Sequence, residues 1–159
     1  PNSPEWVLIE YATSLAGIIL VTANPSLQEK ELRYILEKSS AVALFLVTDF
    51  RGNPMLKIGI QATKGNSSIR EIIEITDHNQ LFRNDQVNKT LPMVLPEDPA
   101  QIQYTSGTTG FPKGAMLSHV GLLNNANFYA SRCKVTNKHT WINIMPMFHT
   151  SGCLSLIHI

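Results

Sequence analysis

Apolar residues change their spacing repeatedly over the first 47 positions, and each change predicts a new element. Trp6, Leu8, Ile9 and Leu15 recur as a helical face would require. Ser3 is placed to cap that helix, Pro4 suits its first position and Gly17 its end. The β-branched run Ile18, Ile19 and Val21 predicts a strand, which Asn24 and Pro25 break. Ser26 with Glu29 has the spacing of a capping box, and Leu32, Ile35 and Leu36 place an apolar stripe on the helix that follows. Residues 41–47 (AVALFLV) are apolar throughout, as in a strand buried on both faces of a parallel sheet. Helix, strand, helix, strand in this order predicts an α/β fold with right-handed crossovers.

Farther on, Ile69, Ile72 and Ile73 would fit a helix, but the β-branched content of residues 69–75 favours a strand. Residues 76–99 turn polar and then proline-rich. Pro92, Pro96 and Pro99 are hostile to helix interiors and central strands, so this stretch reads as a long surface connection. Residues 100–104 suit a strand and residues 115–117 another. Ser118 can then cap a helix carrying Leu122, Leu123, Ala126 and Tyr129. Residues 141–145 predict one more strand. No internal repeat or low-complexity tract interrupts the chain.

Between the two strands at 100–104 and 115–117 lies TSGTTGFPKG, which packs three glycines and four hydroxyls around one proline and one lysine. Glycines allow backbone N–H groups to converge on an anion. Thr105, Ser106, Thr108 and Thr109 add neutral donors, and Lys113 adds a mobile point charge. With Gly107 and Gly110 this is the chemistry of a polyphosphate cradle. It is not the common phosphate loop, because Pro112 precedes Lys113 and Gly114 follows it. A polar hairpin turn between strands would use the same residue types.

Composition narrows the setting. Thirteen basic side chains oppose twelve acidic ones, and the cations form no stripe interleaved with aromatics, so no nucleic-acid partner is expected. Cys133 and Cys153 are too few for a disulfide scaffold or a cysteine zinc site and read as reduced thiols of a cytoplasmic protein. The longest apolar runs, residues 15–21 and 41–47, fall far short of the roughly 20 residues that span a bilayer. A chain of 159 residues is most simply one domain.

The extended string YTSGTTGFPKGAMLSH resembles the signature of the adenylate-forming superfamily: acyl- and aryl-CoA synthetases, luciferases and peptide-synthetase adenylation domains. MPMFHTSG, ending at Gly152, looks like the next motif of that superfamily, one helix and one strand later. The opening PNSPEW and VTANPSLQEKEL are similar to the N-terminal domain of fatty-acyl-CoA synthetases, whereas residues 49–61 look shorter than the usual helix there. The resemblance implies a mainly parallel α/β domain bearing a glycine-rich hairpin loop over the phosphates of ATP. Thr105, Ser106, Gly107, Thr108, Thr109, Gly110 and Lys113 would hold those phosphates. His149 would sit between the acyl pocket and the adenylate, making Lys113 and His149 the expected catalytic residues.

Peptide-synthetase domains carry an aspartate near this second motif to pair with an α-ammonium. Phe148 and His149 are uncharged aromatics, which implies a carboxylic acid without an α-amino group. The implied enzyme is an AMP-forming acid–CoA ligase using ATP, Mg2+ and coenzyme A. A luciferase-like or peptide-synthetase adenylation domain is the alternative, as is a non-catalytic nucleotide-binding module. By the same resemblance, residues 1–153 are part of the N-terminal AMP-binding domain. The magnesium-associated acid and the C-terminal domain with its lysine are not among them. Residues 154–159 (LSLIHI) match the translation of a common sequencing adapter, so the protein's own sequence is expected to end near Cys153.

Overall fold

The computed structural model describes residues 1–82, 90–105 and 112–157, with side chains as far as Cys153. In chain order the elements are α1 (Pro4–Leu15), β1 (Leu20–Thr22), α2 (Glu29–Lys38), β2 (Ala43–Leu46), α3 (Met55–Thr63) and β3 (Glu71–Glu74). They continue as α4 (His78–Leu81), β4 (Pro99–Thr105), β5 (Lys113–Ser118), α5 (His119–Arg132) and α6 (Thr150–Ile157). Two compact units result: residues 23–90 with Pro1, and residues 2–22 with 91–159.

In the 23–90 unit, β2 and β3 pair in parallel, from Ala43 opposite Glu71 to Leu46 opposite Glu74. The strand favoured for the isoleucine-rich stretch is therefore present. Leu32 and Leu36 of α2 bury against Ile58 and Ala62 of α3, with Leu44 and Ile69 packed around them. The crossover brings α3 close to β2 because residue 59 is glycine. A Cβ there would come within 2.6 Å of Leu46 Cδ2 and 3.2 Å of Leu44 Cδ2.

Three expectations change in this unit. The strand at 41–47 shrinks to β2 and is not buried on both faces: Leu46 is buried, but Phe45 on the opposite face is 37% exposed. With only two strands in the sheet, one face is packed by helix and the other stays open. The capping box forms two residues later than Ser26 and Glu29, where Gln28 N–H donates to Glu31 Oε2 at 2.9 Å. Ser26 N–H is instead taken up by Asn24 Oδ1 at 2.9 Å, an Asx turn that holds Ser26 ahead of the helix. The stretch 49–61, which looked short for the helix usual there, carries most of the nine-residue helix α3, whose central Gly59 lowers its helical propensity.

In the other unit, α1 begins as expected, with Ser3 Oγ accepting from Trp6 N–H at 3.2 Å. Gly17 ends the turn beyond it at φ +65°, a conformation that favours glycine. The sheet runs β1-β4-β5, with β1 parallel and β5 antiparallel to β4. The strands are thus parallel in two pairings and antiparallel at the hairpin. Ser118 Oγ accepts from Gly121 N–H at 3.2 Å and caps α5 as predicted. The proline-rich segment closes on the same helix end: Pro96 O accepts from Val120 N–H and Asp98 O from His119 N–H. Ala100, Leu122 and Cys153 form the apolar core, with Trp6 and Leu117 against it.

The strand expected over residues 141–145 does not form. Ile142 and Ile144 are 80% and 83% exposed, and this segment pairs with no strand among the described residues. Its polar groups are tied down individually: Met145 N–H donates to Asn143 Oδ1 at 3.0 Å, and Asn143 Nδ2 donates to Gly152 O at 2.9 Å.

Candidate functional site

The hairpin β4–β5 places Thr105 directly opposite Lys113, so the two described ends of the glycine-rich segment meet across the ladder. Ser106, Gly107, Thr108, Thr109 and Gly110 lie outside the described residues. Thr105 and Lys113 are both exposed. Below them, Gly114 pairs with Tyr104, and a Cβ at 114 would lie 3.0 Å from Ile102 Cγ2 and 3.3 Å from Tyr104 Cζ. The Tyr104 ring thus covers the position that glycine leaves bare.

Alternation along β4 sorts its side chains into two faces. Ile102 and Tyr104 share one, while Gln101, Gln103 and Thr105 share the other with the cross-strand partners of Gln103 and Thr105, Ala115 and Lys113. The second motif docks on this latter face. Thr150 N–H, the first of α6, donates to Gln103 Oε1 at 2.9 Å. His149 is therefore tethered next to a strand position only two residues, or ~7 Å, from Thr105. The structure brings His149 and the Thr105/Lys113 pair to one end of one sheet face.

His149 itself is exposed and begins the helix. Its carbonyl accepts from Gly152 N–H at 2.9 Å and Cys153 N–H at 3.1 Å, while Nδ1 accepts from Ser151 N–H at 3.3 Å. This is an N-cap made by imidazole, satisfying a helix N–H that would otherwise lack a partner. With Nδ1 accepting, the neutral ring carries its proton on Nε2, the nitrogen free of the cap. Phe148 is half-buried beside it and Met147 is buried.

The tight turn before α6 depends on Gly152. A Cβ at this position would fall 2.0 Å from Pro146 O and 2.8 Å from Met147 N, both backbone atoms. Asn2 clamps the same turn, with Nδ2 donating to Met145 O at 2.8 Å and Oδ1 accepting from Met147 N–H at 2.9 Å. Neither residue stood out in the sequence for this reason, although Gly152 closes the motif and Asn2 lies in the opening PNSPEW.

Also missed was a buried polar group behind the site. Glu10, Gln101 and Gln103 are almost fully buried, and Gln101 Nε2 donates to Glu10 Oε1. Burial pushes the Glu10 carboxyl up to about 8, against the opposing pull of the Gln101 hydrogen bond. The sequence signal was present: two glutamines at alternate positions of a strand lead into the glycine-rich segment.

Among the described residues, no group of three His, Cys, Asp or Glu side chains could hold a metal ion. Cys133 is exposed and Cys153 is buried, and no disulfide joins them. No described helix is long and apolar enough to cross a membrane.

The chain belongs to the AMP-binding enzyme family, which it matches over residues 1–159. It is similar to the mitochondrial medium-chain acyl-CoA ligase of Homo sapiens, 32% identical over 98% of this chain and 30% of that protein. The Bos taurus counterpart is 33% identical over 99% of this chain and 32% of that protein. Among solved structures, ATP-bound MatB from Rhodopseudomonas palustris superposes with a TM-score of 0.80 at 25% identity, over 98% of this chain and 31% of that one. O-succinylbenzoate coenzyme A synthetase (MenE) from Bacillus subtilis, in complex with ATP and magnesium ion, gives 0.76 at 25% identity, over 99% and 31%. The chain thus spans about a third of the length of the curated relatives it matches.

Proposed function

We propose that the chain supplies the phosphate loop and one wall of the acyl site of an AMP-forming carboxylic acid–CoA ligase. The observation that carries this reading is the hydrogen bond from Thr150 N–H to Gln103 Oε1, which joins the two motifs at one end of the sheet. The substrate acid attacks the α-phosphorus of ATP, the bond to the β-phosphate breaks, and pyrophosphate leaves with the electron pair. Lys113 and the hydroxyls of Thr105, Ser106, Thr108 and Thr109 follow the charge that develops on the departing phosphates, with Gly107 and Gly110 supplying close backbone approach. The thiol of coenzyme A then displaces AMP from the acyl-adenylate.

His149 meets the carboxylate or the adenylate through Nε2–H, the donor that its cap leaves free. Phe148 and His149 offer no carboxylate to an α-ammonium, which favours a fatty or related acid over an amino acid. The described residues provide no metal ligand set, so no step is assigned to Mg2+ in this chain. The names of the relatives support the ligase reading. The location we favour is cytoplasmic, and fractionation decides between it and the mitochondrial address in the name of the human relative.

Two measurements test the proposal. Residues 1–159 alone should give no acid-dependent ATP–pyrophosphate exchange, because the adenine-binding motifs and C-terminal lysine implied by the resemblance are not among them. Exchange above blank would contradict this. In the full-length protein, His149→Phe should slow single-turnover adenylation by about 2 kcal/mol, since an anionic oxygen loses a donor. Near-normal rates in a folded variant would reduce His149 to a helix cap and a wall.

A further inference from the structure

We propose that Glu10 is a positioning residue for His149, acting through Gln101 and Gln103 on the first turn of α6. The inference rests on the reading above, in which His149 meets the reacting groups, and it extends that reading to a residue of a different helix. Thr150 N–H donates to Gln103 Oε1 at 2.9 Å, Gln103 Nε2 donates to Gln101 Oε1 at 3.0 Å, and Gln101 Nε2 donates to Glu10 Oε1. Every amide in this line accepts from the α6 side and donates toward α1. The line therefore has one direction, and Glu10 is its terminal acceptor.

Direction matters because a side-chain amide has a donor end and an acceptor end of nearly the same shape. With an acceptor at Glu10, Gln101 presents Nε2 to α1 and Oε1 to Gln103, and Gln103 in turn presents Oε1 to Thr150. Without it, Gln101 Nε2 loses its acceptor, and the amide can turn over to seek one, giving up the bonds that its Oε1 accepts from Gln103 and Cys153. Gln103 then faces a donor with a donor, and its hold on Thr150 is lost. Little of this line is open to solvent: Glu10, Gln101 and Gln103 are 3%, 1% and 6% exposed. Cys153, wholly buried, packs its Sγ 3.5 Å from Gln103 Nε2 and 3.8 Å from Gln101 Oε1, filling the space beside both amides.

The far end reaches His149 through one peptide unit. The same turn of α6 holds the imidazole by the Ser151 N–H bond to Nδ1. A shift of this turn moves the ring and changes which nitrogen accepts. Glu10 Oε2 has no partner among the described residues, so the carboxyl works through one oxygen and as a neutral acid, consistent with its raised affinity for a proton.

The test uses the full-length protein labelled with [15N]histidine, the His149 resonances being assigned by their loss in His149→Phe. Glu10→Leu and Gln103→Met should both shift the His149 ring-nitrogen signals. Both should lower the adenylation rate constant on the order of 10-fold with KM for ATP unchanged, the signature of a misplaced group. Glu10→Gln keeps the accepting oxygen and should restore both the signals and the rate. Wild-type His149 signals in a folded Glu10→Leu protein would overturn the proposal, as would a Glu10→Gln protein as impaired as Glu10→Leu. If Glu10→Leu does not fold, unchanged signals in Gln103→Met overturn it equally. Shifted signals with normal adenylation would support the line from Glu10 and refute instead the reading that His149 meets the adenylate.

Discussion

The 23–90 unit and the unit carrying the hairpin are built on opposite interiors. The first buries Leu32, Leu36, Ile58 and Ala62 between two helices, with its charged groups outside. The second also has an apolar core, but it holds every buried polar or charged side chain among the described residues: Glu10, Thr13, Thr22, Gln101 and Gln103. Apolar packing is non-directional and tolerates small rearrangements, whereas buried hydrogen bonds such as those from Gln103 to Gln101 and from Gln101 to Glu10 specify an arrangement of their atoms. The difference teaches where precision is required. The unit carrying the hairpin holds a helix N-terminus against a sheet face at hydrogen-bonding distance.

The two units should therefore fail differently when a methyl group is added to a tight glycine. Gly152→Ala forces a Cβ into the backbone of Pro146 and Met147, which cannot swing aside. Its expected cost is roughly 3 kcal/mol or more, with loss of adenylation, read by denaturant unfolding and pyrophosphate exchange. Gly59→Ala meets only the ends of Leu44 and Leu46 side chains. It should cost about 1 kcal/mol and leave adenylation intact, because helix propensity improves while two rotamers yield. Equal losses in the two variants would break the contrast.

A pH effect is confined to the polar interior. An acid whose folded pKa is raised keeps its proton longer in the folded state, so the unfolded state binds fewer protons over the interval between the two values. For Glu10 the stabilising contribution is whole below the ordinary 4.5 and is lost as pH rises through about 8. Glu10→Gln abolishes the titration. The wild-type protein should lose about 3 kcal/mol relative to this variant between pH 5 and pH 8, measured by urea unfolding at each pH. His119 and Tyr11 line the same cavity as Glu10 and are common to both proteins, so the difference isolates the carboxyl. A flat difference would show that the carboxyl is solvated.

Much of this was legible in the chain. Ser3, Pro4 and Gly17 bracket α1, Ser118 starts α5, and the strands at 100–104 and 115–117 flank the first motif as their residues suggest. Local chemistry decides such features, and local chemistry is what a sequence displays. The displaced capping box at Gln28 turns on a local competition, the Asx turn in which Asn24 takes up Ser26 N–H, whereas the strand at 141–145 is absent because no described strand lies beside it to pair with. Asn2 bonding to Met145 and Met147 spans most of the chain and leaves no local trace, and the alternating Gln101 and Gln103 hint at a buried polar line without naming Glu10 as its end. Gly152 was visible as a motif residue, yet only the approach of Pro146 O explains it.

In the proposed function the hairpin serves the phosphates that leave in the first half-reaction. Lys113→Ala in the full-length protein tests it by separating the two halves. Adenylation should fall on the order of 10²-fold, since one preorganised charge is lost from the departing pyrophosphate. Thioester formation from supplied acyl-adenylate should remain within about twofold of wild type, because AMP, not pyrophosphate, leaves in that step. An equal loss in both half-reactions would contradict the claim and make Lys113 a structural residue of the hairpin.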